Sequence, residues 1–409
     1  MQRFTFPLRN VLAVLVTATA ALVAACGGGG GSSTTPTVVA TDYSQGPISG
    51  FGSVIVNGVR WDDSTATITD DDGVSHRSSD LKLGMMVEID GTDVDHANGT
   101  GKALMFRIAS EMAGPIASVD VAASSFVVLG VTIQVTSSTV FDDTISGGVA
   151  GLSADEVVEV QGLFDAASNS IVATRVQPSA GAPDYRVRGV VTALDTAAKT
   201  FMLGSETVWY GGILTDGAWL ANGLQVKVRM AKTQLNGAWV ADTVRPVVRT
   251  LADRAEAEVE GSITSFTSVT SFSVNGLAVD ASGAILPADT SGLVLGAHVE
   301  VRGAIQDGVL VATSVRVDDD GHHGGPPRVF ELHGTVSGVN ATDKTFALRG
   351  LTVSYAGSVT YVNGTASDLV DGARSALSGP LRSFRPEGME LWSTAASGES
   401  RADDSICLY

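Results

Sequence analysis

The sequence predicts an all-β protein of tandem small five-stranded, β-barrel-like domains, OB-like among the options, in five copies. Three observations carry that prediction. The first is a recurring phrase: Leu293-Val-Leu-Gly-Ala-His-Val-Glu-Val-Arg-Gly303 returns clearly at residues 81–91 and 152–162, and more weakly at 220–230 and 369–379. The second is its spacing, since the closing positions Gly91, Gly162, Met230, Gly303 and Gly379 stand 71, 68, 73 and 76 residues apart. Solenoid units are shorter, about 20–50 residues, because each borrows its neighbour's core. A unit of about 70 residues with five strands can close a small core of its own, so the copies read as beads with short junctions. The third observation is that no stretch inside a copy sustains a helical period.

Each element of a copy has its own signal. In the phrase, the fourth-position glycine admits a left-handed turn. Val299 and Val301 then alternate with Glu300, as a half-buried strand requires. Upstream, apolar-x-Gly-x-apolar marks the first strand at Gly189, Gly261 and Gly334, with Gly114 a looser version. Phe126, Phe201, Phe272 and Phe346 mark the second strand, each shortly before a glycine. Around Asn275-Gly276 this is a hairpin signal. The fifth strand is Val-Ala-Thr-x-Val, at 172–176 and 311–315 and as a variant at 240–244. Gly50-Phe-Gly-Ser-Val-Ile-Val-Asn-Gly58 is a first copy shortened at one hairpin.

Ahead of the copies stands an export address. Arg3 and Arg9 lead into an apolar run at 11–25, shorter than the roughly 20 residues that span a bilayer and suited to a signal peptide. It ends Leu22-Val-Ala-Ala-Cys26, which resembles a bacterial lipobox with cleavage before Cys26 and lipid on its sulfur. An ordinary secretory signal would instead leave Cys26 a free thiol. Residues 26–47, rich in Gly, Ser and Thr, read as a tether with a reach of about 25 Å. Glycine rather than aspartate follows Cys26, which by the same resemblance favours the outer over the inner membrane. Losing residues 1–25 removes two arginines and no acid, taking the formal charge from −18 to −20. A chain so acidic repels nucleic acid and anionic headgroups. With Cys26 and Cys407 its only cysteines, it has no intrachain disulfide framework.

The organisation is therefore: 1–25 signal peptide; 26–47 tether; 48–112, 113–182, 184–250 and 256–318 copies one to four; 319–327 an acidic, His- and Pro-containing linker. A fifth copy at 328–374 is incomplete, because after Leu369-Val-Asp-Gly372-Ala no Val-x-Val follows. Residues 375–409 form a divergent tail, either a cap or the product of a reading-frame change. The Gly50–Gly58 segment, the repeated Leu-x-x-Gly-x-x-Val-Glu-Val-x-Gly and the Val-Ala-Thr-x-Val endings resemble a proteobacterial family of exported lipoproteins built of repeats of undetermined function. The resemblance spans most of 48–375 and implies an exported β-repeat protein, with no catalytic or binding residues assigned.

Chemistry-bearing motifs are sparse. There is no Gly-x-Ser-x-Gly elbow, His-Glu-x-x-His, Cys-x-x-Cys or phosphate-cradling loop, and no cofactor is implied. Asp320, His322 and His323 carry ligands a divalent ion accepts, within a linker expected to be polar anyway. Asp70-Asp-Asp-Gly73 lacks calcium-loop spacing and reads as a turn. Copy three departs from the rest: residues 184–250 hold eight Lys/Arg against five acids. Trp209, Tyr210, Trp219 and Trp239 lie beside Lys227 and Arg229 there, a mixture used in stacking recognition of sugars or bases. Alternatively Trp239, aligned with Ile171 and Leu310, is core, and the cations dock acidic neighbouring copies. The reading is a lipid-anchored cell-envelope protein, non-catalytic, that binds or spaces, its partner an envelope glycan or protein. The alternative is an envelope enzyme or metal-dependent protein with its site at a junction between copies.

Overall fold

The computed structural model describes residues 39–213, 219–247, 251–317, 329–349, 351–356, 359–385, 388–391 and 405–408. Cys26, the linker at 319–327 and its Asp320, His322 and His323 lie outside these. The described residues from 39 onward form one unit of strands, with three one-turn helices among them (Ser78–Asp80, Gly148–Gly151 and Ala366–Asp368).

Copy two shows how a unit closes. Its first strand, Met112–Asp120, pairs antiparallel with Ser125–Val128, which pairs with Val131–Gln134. That third strand runs parallel to the fifth, Ser170–Pro178. The fifth pairs with the fourth, Val157–Asp165, and the fourth returns to the first. The order 1-2-3-5-4-1 closes a barrel of OB type, and copies three and four repeat it.

The recurring phrase is the start of the fourth strand, and its residues have separate duties. The leading leucines Leu81, Leu152, Leu220, Leu293 and Leu369 are all buried. The fourth position is left-handed in every copy, at Gly84, Gly223, Gly296 and Gly372, and at Asp155 where copy two lacks the glycine. The closing glycine marks a bulge against the fifth strand, between Asp90 and Gly91, Gln161 and Gly162, and Arg302 and Gly303. A Cβ on Gly303 would lie 2.1 Å from the Val311 carbonyl oxygen, so only glycine fits that approach. In copy three Met230 stands there, buried, and the pairing slips again before Gln234.

Three expectations are corrected. First, the tether does not reach Pro47: Asp42–Pro47 is a buried strand, antiparallel to Met86–Asp95 and parallel to Arg254–Ser268. Its polar sequence (Asp-Tyr-Ser-Gln-Gly-Pro) carries no alternation because neighbours cover it on both sides. Second, copy five is not left open. Arg374–Arg385 runs antiparallel to Val329–Asn340 as a fourth strand. The fifth strand's place is filled in two pieces, Gly388–Leu391 parallel to Leu351–Ser354 and Ser405–Leu408 parallel to Thr360–Val362. Ser375, Ala376 and Leu377 are buried in succession, so alternation is not required of this strand.

Third, the copies are not beads with separate cores. The first strand of copy one pairs in parallel with that of copy four, and the short strand after it, Gly50–Phe51, pairs in parallel with the first strand of copy five. One apolar core joins copy one (Trp61, Phe106) to copy five (Phe330, Phe346). Another joins copy two (Phe126, Phe164) to copy three (Phe201, Tyr210). Copy four centres on Phe272 and takes in Tyr43 of copy one.

Candidate functional site

In copy three the first strand (Tyr185–Asp195), fourth (Gln225–Leu235) and fifth (Ala238–Pro246) lie side by side. Their register places Arg188, Lys227 and Arg245 in one row across the sheet, and Arg186, Arg229 and Thr243 in the next. Residues two apart on a strand share a face, so five cations occupy a grid of six positions. Like charges directly opposite one another repel, and such a wall requires counter-charge.

Neighbouring elements supply it. The turn of copy one after Asp70 is set by that carboxylate, which accepts from the N–H groups of Asp72 and Val74 at 2.9 Å each. The turn presents Asp71 to Lys227 (3.0 Å) and Asp72 to Arg186 (3.0 Å) and Arg229 (2.7 Å). Asp184 pairs with Arg186 and Arg229, and its hydrogen bonding raises the Arg229 pKa. Glu111, between copies one and two, meets Arg188 at 2.9 Å and Lys227 at 3.6 Å. The Arg188–Glu111 pair is buried, with Arg188 lying over the Phe164 ring at 5.0 Å.

Against this wall lies a cavity of about 330 Å³, bounded by residues of copies one to four, including Gln45, Glu88, Glu111, Arg188, Arg245 and Asn275. Lys227 and Arg229 both border it, and none of the four aromatics proposed with them does. Tyr210 is buried, 5.7 Å from the Phe201 ring. Trp239 pairs with Val208 as Ile171 pairs with Ile133 and Leu310 with Val279, and it packs against the shared core. Its indole N–H donates to Glu206 at 2.9 Å, and Tyr185 meets it edge-on at 5.6 Å. Trp209 is half-buried with its ring against Gly211, and Trp219 is exposed. The alternative in which the cations of 184–250 dock acidic neighbouring copies is the one realised at Asp71 and Asp72. Arg186, Arg188 and Arg245 belong to that basic excess, but sequence reasoning did not single them out for a site, nor foresee Glu111, Asp71 and Asp72 as the docking acids. The available signal was the i, i+2 spacing of Arg186 with Arg188 and of Lys227 with Arg229 on predicted strands.

A second groove, about 470 Å³, runs between copies one and four past Asp42, His96, Glu258 and Arg302. Arg302 donates to Glu258 through Nε (2.9 Å) and Nη2 (2.7 Å), and also pairs with Glu300. Burial of the Glu258 carboxyl outweighs the pull of Arg302 and, with Glu300 adding negative charge, moves its pKa from 4.5 to about 7. A carboxyl raised on folding stabilises fully below its unfolded pKa, and that contribution is lost as pH rises through the folded value. The melting temperature should therefore carry a component that falls between about pH 4.5 and pH 7. Glu258→Gln should remove it, and an unchanged pH profile in that variant would refute the assignment. Among the described residues no group of three or more His, Cys, Asp or Glu is placed to hold a metal ion. No helix among them is long and apolar enough to cross a membrane.

The family described as "Domain of unknown function (DUF5666)" matches residues 45–103, 113–177 and 260–316. These fall on copies one, two and four. The unmatched copies are three, with Met230 at the closing position, and five, with its fifth strand in two pieces. No curated protein matches the chain. A solved structure titled "drosophila Unr CSD456" aligns at 14% identity over 52% of this chain and 98% of its own, with a TM-score of 0.14, too low for any argument.

Proposed function

We propose that this chain is an exported, lipid-anchored envelope protein that works by binding. Three of its segments match a domain of undetermined function, and the apolar run at 11–25 followed by Cys26 supports export and the anchor. The observation that carries the reading is the cavity between copies one to four, bordered by charged groups from several barrels. Its volume of about 330 Å³ is within the range of small-molecule sites, about 300–1,000 Å³. Binding is favoured over spacing because copy one pairs strand to strand with copies four and five. A string folded back on itself gives up the length a spacer needs and gains junctions. The full chain, purified from its native envelope and then denatured, should release one small molecule per chain detectable by mass spectrometry. If it releases none, and no envelope extract shifts its melting temperature, the binding reading fails.

A further inference from the structure

The cavity wall has more donors than its own acceptors use. Its four carboxylates are engaged: Asp71 by Lys227, Asp72 by Arg186 and Arg229, Glu111 by Arg188 and Lys227, and Glu88 by Arg107 at 3.2 Å. Three groups are left over. Arg245, directly across from Lys227, is exposed and forms no ion pair among the described residues. Arg188 is 3% exposed, and while Nη1 and Nη2 are held by Glu111 and Gln225, its Nε has no acceptor among the described residues. Gln45, 6% exposed and bordering the same cavity, makes no side-chain hydrogen bond among the described residues.

A buried N–H without an acceptor costs about 1–3 kcal/mol, and such groups ordinarily meet water or a ligand. Water would satisfy Arg188 and Gln45 but brings no charge to the Lys227–Arg245 juxtaposition. An anion does both. We propose that this cavity is a binding site for a small oxyanion, carboxylate, phosphate or sulfate, held by Arg245 with the Arg188 Nε–H and the Gln45 amide. The assignment rests on the binding function above and names its ligand class.

The test is calorimetric titration of the full chain, in detergent and free of phosphate and sulfate. The probes are inorganic phosphate, sulfate, citrate and neutral N-acetylglucosamine, at constant ionic strength. At least one oxyanion should bind saturably at one per chain, and which one binds separates the phosphate, sulfate and carboxylate sources. Arg245→Gln should weaken it about tenfold or more, the size of one charge-assisted hydrogen bond, with an unchanged melting curve because Arg245 is exposed and unpaired. Binding equally strong in Arg245→Gln, or no oxyanion binding, overturns the proposal. If the neutral sugar alone binds, the oxyanion class is wrong while the binding function stands. If no probe binds, no molecule is released on denaturation and no envelope extract shifts the melting temperature, both fall.

Discussion

Glu111→Ala should cost the folded protein about 3–5 kcal/mol, the usual penalty for breaking a buried ion pair from one side. Glu111 and Arg188 have side chains 7% and 4% exposed, 2.9 Å apart. Removing the carboxylate leaves the guanidinium buried beside Lys227, its cross-strand neighbour, which loses a second partner at the same time. The net worth of the pair is smaller than that penalty, because both ions gave up water to form it. The double variant Glu111→Leu/Arg188→Met should therefore recover most of the loss. Chemical denaturation of the three proteins checks this. A single variant within about 1 kcal/mol of the parent would mean that the pair is hydrated and the wall does not depend on it.

Replacing Cys26 with serine should move nearly all of the protein from the membrane fraction to the soluble fraction. Cys26 stands directly after an apolar run and before five glycines, where a lipid would be the chain's attachment. Serine keeps the size and polarity of the position and removes the sulfur that would carry the lipid. The strongly acidic remainder is repelled by anionic headgroups and should not hold the chain at a membrane by charge. Cell fractionation followed by immunoblotting decides the matter, and a variant that stays with membranes would overturn the anchor.

Residue pattern alone determined the local structure of this protein. The phrase ending at Gly303 specified a buried leucine, a left-handed turn and an alternating strand, because each requirement is satisfied within eleven residues. The hairpin at Asn275-Gly276 was legible for the same reason, both residues having positive φ. Where the pattern was missing, the sequence misled. Asp42–Pro47 and Arg374–Arg385 are strands because other strands pair with them, and pairing uses backbone groups that no side-chain period records.

The tertiary structure decided which copies share a core and what the charges of copy three do. The cation excess was visible at residues 184–250, and so was the acidic turn after Asp70, but they lie more than a hundred residues apart. Only the folding back of copy one against its partners brings Asp71 and Asp72 onto Lys227 and Arg229. That leaves Arg245 without an ion-pair partner among the described residues, at the edge of a cavity that no single copy contains, because a site shared by four barrels depends on how they pack and not on any one stretch of chain.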